Sequence, residues 1–144
     1  MLTKNRAVFF CLLFAATLVM ADDSNRHLQV EGMNVYLGVI PAQLTSEKMH
    51  NSATPKEHGY HILIALFDSK SGLRITDAKL KATVGLLGVT GSSKELEVMP
   101  GNALSYGNYF MMHQADRYRI VVEIQRKGSN KKSIASFVYQ RPKG

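Results

Sequence analysis

The chain has 144 residues, 18 basic and 11 acidic side chains, a formal net charge of +7, one cysteine and no tryptophan. That is the length of one domain able to bury a core of its own. The one cysteine, Cys11, falls in an N-terminal stretch that reads as removable, which excludes disulfides, thiolate catalysis and cysteine-based zinc sites from the mature chain.

Residues 1–21 have the pattern of an export signal. Lys4 and Arg6 precede an uncharged, largely apolar run from Ala7 to Met20, too short to span a bilayer comfortably. Val19 and Ala21 are small enough for the positions before a signal-peptidase cut, so the mature chain is expected to start at Asp22. Cys11 lacks the small-residue context of a lipid-attachment site. Domain 22–144 then holds 123 residues with 16 basic against 11 acidic side chains, a net charge of +5. The expected location is the periplasm or the medium. An exported chain rarely meets nucleic acid, so the charge reads as solubility, with an anionic surface or acidic partner as the sharper reading.

From Leu28 to Leu44, "LQVEGMNVYLGVIPAQL" places Val35, Leu37 and Val39 at period two and ends at Pro41, which predicts an edge strand. "TSEKMHNSATPKEHG" has no apolar period and reads as a long exposed loop. Tyr60 to Asp68 is apolar on both faces, as a central strand is. After the turn "DSKSG", Leu80, Ala82 and Val84 alternate with Lys79, Lys81 and Thr83 in a half-buried strand. A short strand is expected near Leu96 to Met99, another from Ser105 to His113, a third from Arg117 to Gly128, and a last from Ser133 to Gln140 beyond the basic tip "KGSNKK". About seven short strands and no convincing helix predict an all-β fold, an antiparallel β-sandwich. Tyr118, two residues after Asp116 at the start of its strand, has the setting of a tyrosine corner and favours Greek-key connections; a plain core tyrosine is the other reading.

"LFDSKSGLRITDAKLKATV", then "YGNYFMM", then "DRYRIVVEI" together resemble the YtkA-like family of small exported bacterial domains, over roughly Tyr60 to Tyr139. The shared phrase runs through Asp68, Gly72, Ile75, Asp77, Ala78 and Leu80. The resemblance implies an immunoglobulin-like Greek-key sandwich and a periplasmic metal-handling role, since relatives occur with membrane copper and respiratory-metal systems. It supplies no ligand motif that transfers residue by residue.

The chemistry must come from the residues. The mature chain holds five histidines and five methionines, of which four histidines and three methionines gather at Met49–His50, His58–His61 and Met111–His113. Thioether sulfur is soft and selects Cu(I), while imidazole suits Cu(II), zinc and nickel, so a mixed set without cysteine favours copper. Residues two apart on a strand share a face, so Met111 and His113 point together while Met112 joins Phe110 toward the core. His58 and His61, three apart, converge only if His58 lies in the loop before the strand, where Pro55 and Gly59 put it. The expected site is therefore Met111, His113, His58 and His61, with Met49 and His50 as auxiliaries on the loop. The ordinary alternatives are a histidine packed beside Leu63 and Phe67 for His61, and a gap-filling methionine for Met111.

No nucleophile elbow, HExxH helix or phosphate-binding glycine loop is present, so an enzyme is not expected. Two functions stay open. One is copper binding or delivery, with a membrane-bound metal transporter or metalloenzyme as partner. The other is a metal-free envelope interaction module using a sheet edge or the basic hairpin Lys127 to Lys132. Oligomeric state is not legible.

Overall fold

Period-two burial organises the protein in a computed structural model that describes residues 26–45, 57–99 and 104–143. Eight strands form: β1 (His27–Val30), β2 (Met33–Pro41), β3 (Gly59–Asp68), β4 (Lys79–Leu86), β5 (Ser92–Val98), β6 (Tyr106–Met111), β7 (Arg117–Gln125) and β8 (Lys132–Gln140). Their order in space is β1-β2-β3-β6-β5-β4-β7-β8, every neighbouring pair antiparallel. The chain changes sheet between β3 and β4 and again between β6 and β7, which makes the all-β antiparallel sandwich of the sequence reading. The expected leader, residues 1–21, and the loop residues Met49 and His50 lie outside the described residues.

β5 belongs to both sheets. Residues Ser92 to Leu96 pair with β4, whereas only Glu97 and Val98 pair with β6. Where the two ladders part, side chains bridge the gap: Lys94 Nζ donates to the Tyr109 carbonyl at 2.7 Å, and Asn108 Nδ2 donates to the Glu95 carbonyl at 2.8 Å. The inner faces meet in one core. Ile62, Ile64, Leu66, Phe110 and Met112 on one sheet face Ala82, Ile120, Val122, Ala135 and Phe137 on the other. Each large apolar side chain buried there contributes about 1.5–3 kcal/mol.

Two tyrosines fix the crossings. Tyr118 Oη donates to the Gln114 carbonyl at 3.2 Å and accepts from the Gln114 N–H at 3.0 Å, so the tyrosine corner is present. Tyr106 Oη accepts from the Ala78 N–H at 3.0 Å and donates to the Ile75 carbonyl at 3.1 Å, holding the β3–β4 crossover; burial pushes its phenol pKa up.

The one edge strand expected over Leu28 to Leu44 is a hairpin. Glu31 and Gly32 have φ of 44° and 78°, the two positive values of a two-residue I′ turn, and β1 is the edge outside β2. The apolar phase slips there, from Leu28 and Val30 to Met33 and Val35. Ser133 and Lys131 both bond the Glu31 carboxylate, tying this hairpin to β8 across the open side of the sandwich.

Candidate metal centre

One end of the sandwich gathers the end of β2, the start of β3, and the ends of β6 and β8. The β3–β6 ladder closes with Gly59 opposite Met111, and one step further the Met112 N–H donates to the His58 carbonyl at 2.8 Å. His58 has φ of 58°, a left-handed conformation that costs a non-glycine residue about 1–3 kcal/mol and carries it out of the ladder's alternation. His58 therefore sits just before the strand, as the sequence reading required.

The turn brings His58 to His113. Their ring centroids are 5.4 Å apart with planes tilted by 55°. They line an open pocket of about 410 Å³ together with Gln43, Glu57, Tyr60 and Arg141, among others. His58 Nε2 lies 3.5 Å from a Glu57 carboxylate oxygen, and Arg141 Nη2 lies 3.2 Å from His58 Nδ1. The Arg141 guanidinium also stands 5.6 Å from the Tyr60 ring centroid.

The separation of the histidines fits a shared metal. A ligating ring nitrogen lies about 2 Å from its ion, which places two coordinated imidazole centroids roughly 5–6 Å apart. Among the described residues no group of three or more His, Cys, Asp or Glu could hold a metal. The donor set that the pocket shows is an imidazole pair, too poor in carboxylates for calcium or magnesium and short of the four ligands of structural zinc. Imidazole nitrogen suits copper, zinc and nickel.

The other expected ligands divide. His61 is completely buried on the outer face of the β3–β6 sheet, away from the apolar core. Its ring stacks on Tyr109 with centroids 4.5 Å apart and planes 19° apart, and the Tyr109 hydroxyl lies 2.7 Å from Thr45 Oγ1. Gly107 makes room, because a Cβ there would stand 2.7 Å from His61 Nε2. The stacking partner of the ring is Tyr109 of the neighbouring strand. Met111 follows Tyr109 on this outer face and is 37% exposed, while Met112 is fully buried beside Phe110, as alternation required. His27 is exposed and stacks on Tyr36. In the basic hairpin, Lys131 pairs with Glu31 and Lys132 with Glu123.

Sequence reasoning missed Arg141 and Glu57. Glu57 was readable as the neighbour of His58. Arg141 was not, because the end of β8 comes beside the start of β3 only when one sheet packs on the other.

No helix among the described residues is long and apolar enough to cross a membrane. No family model matches the chain, and no curated protein matches it by sequence. Solved structures do match in shape. A copper-bound variant of FetP from uropathogenic Escherichia coli strain F11 superposes with a TM-score of 0.66 at 10% identity, covering 82% of this chain and 95% of that one. FetP of the same strain, expressed recombinantly in the periplasm, gives 0.63 at 13%, covering 81% and 92%. A DUF4426 family protein from Pseudomonas aeruginosa PAO1 gives 0.62 at 13%, covering 82% and 95%. At these identities the likeness is one of fold: the chain shares the architecture of FetP and of a DUF4426 protein.

Proposed function

We propose that this is an exported copper-handling protein whose His58 and His113 take the metal as cargo in the end pocket. The observation that carries the reading is the approach of these two rings to 5.4 Å, although the chain holds them fifty-five residues apart in sequence. The YtkA-like resemblance supports a periplasmic location and a membrane-bound transporter or metalloenzyme as recipient. The copper carried by a FetP of the same architecture supports the choice of metal.

Met111, two residues before His113, offers a thioether at the strand end, and Met49 and His50, outside the described residues, are kept as the auxiliary ligands of the sequence reading. His61, sealed against Tyr109, is left out of the ligand set. Copper accepts few ligands, so a histidine pair suffices for capture, and open access to the pocket allows release. The chain's own residues bind and orient the ion and let it leave; none of them is assigned a catalytic step.

Titration of the mature chain with Cu(I) and Cu(II) tests this. His58→Ala and His113→Ala should each weaken binding by at least about tenfold, the loss of one ligand of few. Unchanged affinity in the double variant defeats the assignment and returns the protein to the metal-free interaction module.

A further inference from the structure

The geometry points to Arg141 as a cation standing in the place of the metal: its guanidinium occupies His58 Nδ1 and must be displaced for copper to bind. This rests on the reading of His58 as a copper ligand.

Start with the protons. A guanidinium has five N–H donors, accepts no hydrogen bond and is not deprotonated in proteins. Facing His58 Nδ1 at 3.2 Å, it can only donate, so Nδ1 is the bare nitrogen and the ring proton sits on Nε2. Nε2 in turn faces the Glu57 carboxylate at 3.5 Å. Metal-bound histidines have the same arrangement: one bare nitrogen on the ion, the other N–H turned to a carboxylate that fixes tautomer and ring orientation. His58 is held in that state with a positive charge already at the ligating nitrogen. Glu57 takes the part of the orienting carboxylate.

Next, the hold is a weak one. The Arg141 main-chain N–H donates to the Asp116 carbonyl at 3.0 Å, which fixes the root of the side chain. The head is poorly satisfied. Nη1 reaches the Pro142 carbonyl only at 3.5 Å, and the buried Nε has no hydrogen-bond partner among the described residues. A structural arginine would ordinarily clamp a carboxylate with two parallel bonds. Here one imidazole nitrogen and the face of Tyr60 hold it. A fixed root with a displaceable head makes copper uptake an exchange of one cation for another, and the return of Arg141 assists release.

Competition titration with Cu(I) and imidazole nitrogen NMR test the proposal, on the mature chain at about pH 8, above the ordinary histidine range. The wild type should show His58 Nδ1 bare and Nε2 protonated. Arg141→Met should raise copper affinity by about tenfold, the scale of one charge-assisted hydrogen bond removed from competition. Arg141→Gln, which keeps a polar group over Tyr60 without the charge, should do the same, and thermal melts establish that both variants are folded. A proton on Nδ1 in the metal-free wild type, or unchanged or weaker affinity in the folded variants, overturns the proposal. If neither wild type nor variants take up copper while Nδ1 is bare, the copper reading itself falls and Arg141 is a structural tether.

Discussion

His58 and His61 are the same residue type, three positions apart, in opposite surroundings. His58 lies outside the ladder at positive φ, with a side chain 38% exposed in an open pocket beside His113, Glu57 and Arg141. His61 lies inside the ladder, fully buried, flat against Tyr109 over the space that Gly107 leaves. The difference teaches that a histidine's chemical availability is decided by backbone phase. A ladder residue inherits its neighbours' packing, while a residue just before the strand can aim elsewhere. Substitutions should separate the two regions cleanly.

The largest effect is expected at His61. His61→Ala removes a fully buried ring and leaves a cavity beside Tyr109, which should cost about 2–4 kcal/mol in urea unfolding, with unchanged copper stoichiometry in the folded fraction. Next is Gly107→Ala. Its Cβ would meet His61 Nε2 at 2.7 Å and Leu63 Cδ2 at 2.8 Å, so the stack must shift at a cost of about 1–3 kcal/mol. Loss of copper binding without loss of stability in either variant would reverse the comparison and put His61 at the metal.

Much of this was legible because alternation is a local signal. In β4, Leu80, Ala82 and Val84 are buried while Lys79 and Lys81 are exposed, as the sequence pattern reads. The same rule sent Met112 inward and Met111 outward. Tyr118 was placed by its position after Asp116. The turn at Glu31 and Gly32 escaped because glutamate is an unusual first residue for a I′ turn, although the apolar phase slips there. What could not be read was long-range register. That Gly59 faces Met111 follows from strand order, and that the end of β8 reaches the pocket follows from the packing of one sheet on the other; no local period encodes either. His58, His113 and Arg141 meet only once both exist.

The tyrosine corner links the two regions, and its effect should be intermediate. Tyr118 holds both backbone groups of Gln114, the residue after His113. Tyr118→Phe keeps the ring in the core and removes both bonds, costing about 1 kcal/mol because Gln114 is near enough to solvent to be rehydrated. His113 should also lose its fixed position, so copper affinity should fall severalfold. Unaltered affinity with the expected destabilisation would show that His113 is positioned by the β6 ladder rather than by the corner.

The smallest effect is at the other end of β3, and there the sign matters more than the size. Asp68 closes this strand as the pocket opens it. Its carboxylate accepts from the Ser71 N–H at 2.8 Å, from the Ser71 hydroxyl at 2.9 Å and from the Lys70 N–H at 3.0 Å, and these bonds hold its pKa below the ordinary carboxylate value. A carboxylate with a depressed folded pKa stabilises the fold above its unfolded pKa and loses that contribution as pH falls through the folded one. Stability should therefore be level near neutrality and begin to decline below roughly pH 4. Glu31, lowered first by its bond from Lys131 and then by Ser133, lies at the same end and adds to the decline. Asp68→Asn should flatten part of the slope in acid urea titrations and leave copper affinity at neutral pH unchanged, because its turn is at the far end of β3 from His58. A wild-type slope retained in full by the variant would mean that the turn's hydrogen bonds form equally well without the charge.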